Sequence, residues 1–314
     1  MIHTYKDIGK DQIFSHMALL DLFQKWITPS PDENDIVLTG LPRSGTTLAT
    51  KILSDQENVI ALNEPIQWKS KKRGGVKIRE SAVKLTKASY ASFRRSLLNN
   101  GTAVARVKDG KLTDNHYERT EGKRRKVINR EVVSFDKPLS KDFKLILKHN
   151  SVFTLLLSEL NAIYEYYAII RNPLAVLGSW NSVNVPVSRG VMRHLEVLDP
   201  DLLTRLNSVQ DVLAKQLIIM DYYFSQYSQL KEEQIIRYED VIAKEGAILS
   251  GITKQKIVYN ASLENKNVSV IYNPADMIAM GEQLLASDGA YWSFYSKSDV
   301  ESVMDDYKAL ERHE

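Results

Sequence analysis

The sequence predicts an α/β fold, a doubly wound parallel sheet flanked by helices, and three observations carry that prediction. Short apolar runs recur at 36–38, 59–62, 144–147 and 166–170, with the length and β-branched content of strands buried on both faces. Segments with apolar residues at helical spacing lie between them, and this alternation calls for right-handed crossovers in a parallel sheet. The ends of several runs carry glycine, proline and charged residues, and ligands bind at such strand ends in an open sheet.

Taken in order, Ile13, Met17, Leu20, Phe23 and Trp26 predict a core-packing helix over 11–27, closed by Pro29 and Pro31. Ile36, Val37 and Leu38 form the first strand, a turn holds Gly40 and Pro42, and Gly45, Thr46 and Thr47 open a helix through Leu48, Ala49, Ile52 and Leu53. Strand, Gly-rich loop and helix together aim backbone N–H groups and the positive end of the helix dipole at one small volume, a phosphate cradle. The glycine spacing fits a Walker P-loop, yet Thr46 stands where the Walker lysine belongs, and Arg43 supplies the charge instead.

The second strand, 59–62, leads to Asn63, Glu64 and Pro65, and the proline turns Glu64 away from helix into a strand-end loop. Residues 69–79 are basic around Gly74 and Gly75, either a solvated loop or a mobile lid that attracts an anionic donor or acceptor. A helix over 80–98 and a strand over 102–107 follow. The polar stretch 108–142 reads as a hairpin-like insertion with Glu121 and Gly122 in its turn. The strand 144–147 delivers Lys148, His149 and Asn150, and a helix carries Val152, Leu155, Leu156 and Leu160. The strand 166–170 ends in Arg171, Asn172 and Pro173, with Pro173 in the first turn of the next helix. A long helical region follows Asp201, the last sheet strand is 234–237, and late helices near 276–286 and 298–310 flank an aromatic segment at 291–295. One domain over 1–314 is expected, with a helical C-terminal region from about residue 250.

Composition bounds the function. A net charge of +3 is too small to make nucleic acid the default partner. The chain has no cysteine, which excludes disulfides, thiolate catalysis and Cys-ligated zinc. No stretch approaches the roughly 18 consecutive apolar residues of a membrane span, and the first residues lack the pattern of a secretory signal, so a cytoplasmic enzyme is the expectation.

Arg43, Ser44, Gly45, Thr46 and Thr47, together with Arg171 and Ser179 eight positions apart, resemble the two nucleotide motifs of sulfotransferases that use 3′-phosphoadenosine 5′-phosphosulfate (PAPS). Arg237, Tyr238, Glu239 and Asp240 also look like a signature of that family. The resemblance spans about residues 35–245 and implies a P-loop-like sulfotransferase fold and PAPS as cofactor. It implies that Arg43, Ser44, Gly45, Thr46, Thr47 and Leu48 hold the 5′-phosphosulfate, that Arg171 and Ser179 hold the 3′-phosphate, and that Tyr238 lies by the nucleotide. Lys148 matches a family lysine near the bridging oxygen. In-line sulfuryl transfer needs no bridging Mg²⁺, and no metal-ligand cluster is evident.

Two residues compete as the base that deprotonates the acceptor. Glu64, 21 positions after Arg43, resembles the glutamate of tyrosylprotein-type sulfotransferases. Desolvation near an apolar acceptor would raise its pKa, opposed by Arg43. His149 is one position earlier than the histidine of cytosolic members, a slip that turns a side chain away. Glu64 is favoured; His116 and His194 receive no role. The alternatives are a P-loop kinase and a noncatalytic nucleotide- or polyanion-binding module. The acceptor expected is a small molecule, with a glycan and a peptide tyrosine as the other candidates, and oligomeric state is not legible.

Overall fold

A computed structural model describes residues 29–68, 76–120 and 123–312. The helix expected over 11–27, most of the basic stretch at 69–79 and the turn at Glu121 and Gly122 lie outside them. Five of the expected strands, β1 (Asp35–Gly40), β2 (Val59–Asn63), β7 (Lys144–Lys148), β8 (Glu165–Ile170) and β9 (Ile235–Arg237), form one sheet in the order β2-β7-β1-β8-β9. Every pairing in it is parallel, as in Val37 opposite Leu147 and Leu38 opposite Tyr167.

Side chains alternate across the sheet and feed two cores. Val37, Leu145, Leu147, Tyr166 and Ala168 face a layer that includes Tyr90, Trp180 and Phe224 of the helices Val76–Asn100, Pro173–Asn181 and Val212–Tyr227. Ile36, Leu38, Ile146 and Ile169 face Ala49, Ile52 and Leu53 of the helix Thr46–Ser54, with Val241 and Ile252 from later short helices. Complete burial of β1 explains its continuous apolar run.

The chain leaves β1 toward β2 on one side, whereas β8 leads to β9 on the other. The crevice beyond the carboxyl ends of β1 and β8 is therefore the topological switch point, the place where such sheets bind ligands. Gly40 ends β1 there, and a Cβ on it would stand 2.3 Å from the Ile169 carbonyl oxygen, so the two strand ends meet too closely for any other residue.

The polar insertion has more structure than a single hairpin. β4 (Tyr117–Thr120) and β5 (Lys123–Lys126) form the expected hairpin, and β6 (Asn129–Ser134) returns antiparallel along β3 (Thr102–Val107), outside the main sheet. The helix expected around 152–160 is broken at Leu156 into Ser151–Leu155 and Leu157–Asn161. In the C-terminal region, Tyr291 and Tyr295 are core residues against Phe224, so the aromatic segment is packing rather than a substrate pocket. No helix among the described residues is long and apolar enough to cross a membrane.

One fixing point carries no sequence signal. The Lys137 ammonium donates to the carbonyls of Ser54 (2.6 Å), Gln56 (2.7 Å) and Val59, closing the end of the helix Thr46–Ser54 and the entry to β2. Lys137→Ala is expected to lower stability by about 1–3 kcal/mol, seen as a lower urea midpoint at unchanged slope.

Candidate active site

A cleft of about 780 Å³ opens over the carboxyl ends of the strands, a volume suited to a nucleotide and a small second ligand. Of the twelve residues singled out in the sequence, Arg43, Gly45, Thr46, Thr47, Leu48, Glu64, Lys148, His149, Arg171, Ser179 and Tyr238 line it. Ser44 does not. Its hydroxyl donates to the Ile169 carbonyl (2.7 Å) and its N–H to that of Leu41 (3.1 Å), so it ties the loop to β8 instead of facing a ligand.

The loop's free donors come one residue later. Gly45 caps the helix Thr46–Ser54 at φ 89° with no side chain over the helix end, and the first intrahelical bond runs from Ala49 N–H to its carbonyl (3.0 Å). The N–H groups of Thr46, Thr47 and Leu48 thus precede any intrahelical acceptor and point toward the cleft entrance. A Cβ at Gly45 would stand 2.5 Å from the Tyr238 ring, which packs directly over the loop. Gly45→Ala is expected to cost about 1–2 kcal/mol for the left-handed backbone alone, with ring displacement added, and chemical denaturation reads the loss.

Arg43 also holds a left-handed backbone, φ 72°. Its Nε donates to the Ser179 hydroxyl (3.1 Å), its Nη1 approaches Asn115 Oδ1 (3.5 Å), and its guanidinium lies 5.0 Å over the Tyr117 ring. Arg43 therefore reaches across the switch point to the helix after β8. Burial, reinforced by the neighbouring Arg124 charge, pushes its pKa down to about 10.

The Arg171 guanidinium is 5% exposed and tied into the chain: Nη1 donates to the Arg43 carbonyl (3.1 Å), Nε to Asn267 Oδ1 (2.9 Å) and Nη2 to the Lys266 carbonyl. It also lies 4.5 Å over the Tyr238 ring. Asn172 starts the following helix by accepting from Leu174 and Ala175 N–H, and Pro173 occupies its first turn. That helix presents Ser179, and its Trp180 indole donates to the Pro42 carbonyl (2.7 Å). The two motifs are one bonded unit. Lys266 and Asn267 were missed in the sequence because they lie on an irregular segment nearly 100 residues beyond Arg171.

On the other side of β1, the ends of β2 and β7 bring Glu64 and Lys148 together. Glu64 N–H donates to the Lys148 carbonyl (2.8 Å), and Glu64 takes a left-handed conformation, φ 43°, ahead of Pro65. Its carboxylate lies 3.0 Å from Arg106 Nε and 3.4 Å from Lys148 Nζ. Burial works against its charge, but Lys148 and Arg106, with smaller help from His149 and His116, outweigh it and hold the carboxyl well below the usual carboxylate range. The direction is opposite to the sequence expectation, and the opposing cations are Lys148 and Arg106 rather than Arg43. Lys148, 2% exposed, has its own pKa lowered, by burial first and then by the Arg106 charge against the pull of Glu64.

His149 is turned into the wall. Its Nε2 accepts from Ile66 N–H (3.1 Å) and its Nδ1 faces the Trp68 indole N–H (3.4 Å); a neutral imidazole has one lone pair, and the shorter contact claims it. Burial lowers its pKa to about 3. His116, passed over in the sequence, is buried along the same cleft with Nε2 unpartnered, and burial followed by the Lys148 charge lowers its pKa to about 3. His194 lies at the rim.

The fold and site together give an α/β protein with a glycine-capped loop at the end of β1, a buried arginine bonded to that loop, and a carboxylate–lysine pair, all in one cleft. No protein-family model and no curated protein matches the chain. Among solved structures it is similar to the sulfotransferase domain from the curacin biosynthetic pathway, at 16% identity over 72% of this chain and 74% of that one, TM-score 0.35. It is also similar to the sulfotransferase STF9 from Mycobacterium avium, at 14% identity over 96% and 80% with TM-score 0.34. A third likeness is to STF1 from Mycobacterium tuberculosis H37Rv, at 12% identity over 93% and 80% with TM-score 0.31.

Proposed function

We propose that the chain is a sulfotransferase that moves a sulfuryl group from PAPS to a hydroxyl or amine of a small acceptor. One observation carries the reading. Arg43 and Arg171 flank the switch point, the Arg171 guanidinium bonded to the Arg43 backbone carbonyl, and no carboxylate among the described residues lies within ion-pairing distance of either. Buried charges call for partners, and two joined cation sites fit a ligand with two separated anionic groups. The cradle at Gly45 and the free N–H groups after it fit the 5′ group; Ser179 and the remaining Arg171 donors fit the 3′-phosphate. Thr46 in place of a Walker lysine sets the loop apart from that of an ATPase.

When bound, PAPS supplies the sulfuryl group and a phosphate leaving group on which negative charge grows. Arg43 and the N–H groups of Thr46 and Thr47 stabilise that charge, in a site already organised before binding. Lys148, at the end of β7, adds its ammonium in the same cleft, 3.4 Å from the Glu64 carboxylate. Glu64 takes the acceptor's proton on its carboxylate. In the free protein it is a weak base because Lys148 and Arg106 hold it ionised. Any withdrawal of Lys148 toward the loop weakens that hold and raises the carboxyl toward a useful pKa.

Calorimetry with 3′-phosphoadenosine 5′-phosphate (PAP), ADP and ATP, without and with Mg²⁺, tests the proposal. Tight binding of PAP independent of Mg²⁺ is expected. Preference for ATP with Mg²⁺, or indifference to the 3′-phosphate, would replace the reading with a P-loop kinase.

A further inference from the structure

The antiparallel ladder of β3 and β6 sets Arg106 directly opposite Arg130. Like charges opposed across a ladder destabilise it. Lys126, from the end of β5, joins them on the wall of the cleft, so three chain segments converge three cations on one place. Arg106 has Glu64 as its partner, at 3.0 Å. Among the described residues Arg130 donates to neutral groups alone, Gln67 Oε1 (3.1 Å) and the Pro65 carbonyl. Neither Arg130 nor Lys126 has a carboxylate within ion-pairing distance among the described residues. Burial and the Arg106 charge both lower the pKa of Lys126 and of Arg130, so the cations feel one another across the site.

This cluster is separate from the nucleotide cations. Arg43 and Arg171 sit at the β1–β8 switch point, whereas Arg106, Lys126 and Arg130 lie beyond Glu64, whose carboxylate has Lys148 on one side and Arg106 on the other. In the sulfotransferase reading, on which this inference rests, the donor's anionic groups fall on the Lys148 side. The far side is left for the acceptor, with surplus positive charge facing it.

We infer that the acceptor carries, beside the group to be sulfated, an anionic oxygen group seated on Arg106, Lys126 and Arg130: a carboxylate, a phosphate ester or a sulfate ester. Docking it there brings the neighbouring hydroxyl or amine to Glu64. The cluster then selects acidic acceptors over neutral ones of the same shape, and its internal repulsion is relieved when the anion arrives.

The test is calorimetric and uses the full chain at constant ionic strength. Protein saturated with PAP is titrated with sodium sulfate, phosphate and acetate, and the tightest of the three identifies the group. Saturable binding is expected, weakened about tenfold or more in the double variant Lys126→Ala/Arg130→Ala, whose PAP affinity stays within about threefold of wild type. Absence of saturable binding to the PAP complex, or binding unchanged in the double variant, overturns the inference. Failure of PAP itself to bind overturns the sulfotransferase reading alone. The same ions titrated into protein without nucleotide then decide the subsite, by whether the double variant loses affinity that wild type has.

Discussion

Glu64→Gln lowers turnover by about 10² to 10⁴ while leaving PAP affinity within a few-fold, the loss expected when a positioned base is removed. Glutamine keeps an acceptor for Lys148 but takes no proton at neutral pH. Retained PAP binding shows that the rate loss is not unfolding. His149→Ala retains turnover within a few-fold, because its lone pair is given to Ile66 N–H in the cleft wall. The reverse pattern would assign the base to His149. A pH series gives a second readout. The Glu64 carboxyl is held below its unfolded value of 4.5, so its contribution to stability is fully present above that pH and is lost as pH falls through the lower folded value. Wild type therefore loses more stability than Glu64→Gln between about pH 5 and pH 3, measured by urea denaturation.

Arg171→Ala weakens PAP binding by roughly two orders of magnitude and abolishes the preference for PAP over ADP. The substitution removes a charge and also frees the carbonyls of Arg43 and Lys266 and the Asn267 amide, so the loop bearing Arg43 loses its clamp. A charge-assisted bond to a phosphate contributes about 1.5–3 kcal/mol, so the loss of one strong or two weak bonds of this kind gives the stated effect. Arg171→Lys does not restore affinity, because a single ammonium cannot span three acceptors lying in different directions. Calorimetry on the three proteins checks both statements. Unchanged affinity in Arg171→Ala would remove the second anion site from the cleft.

Local patterns in the sequence carried the sheet and the two loops at the ends of β1 and β8. The strand at 36–38 with its glycine turn, and the strand ending in Arg171 and Pro173, are contiguous, and their physics is settled within about 15 residues. The strand over 102–107 was legible as a strand, yet its partner was not, since antiparallel register depends on a return path through the insertion. The Arg106–Arg130 opposition is a product of that register and has no local trace. Glu64 was placed at a strand end from Pro65, but the sign of its pKa shift depends on Lys148 and Arg106, 84 and 42 positions away in the chain. Ser44 read as a phosphate ligand because of its neighbours; its hydroxyl is claimed by Ile169, a contact set by the pairing of β1 with β8. The Lys137 clamp on Ser54 and Gln56 has the same character, a long-range contact from a residue in an unremarkable polar stretch.

In the proposed function one nucleotide spans the cation sites of Arg43 and Arg171, and a crystal structure of the chain with PAP tests this most directly. The expected density places the 5′-phosphate on the N–H groups of Thr46 and Thr47 beside Arg43, and the 3′-phosphate on Ser179 and Arg171, with Tyr238 against the nucleotide. A 3′-phosphate left in solvent, or a nucleotide bound away from the Gly45 loop, would contradict it.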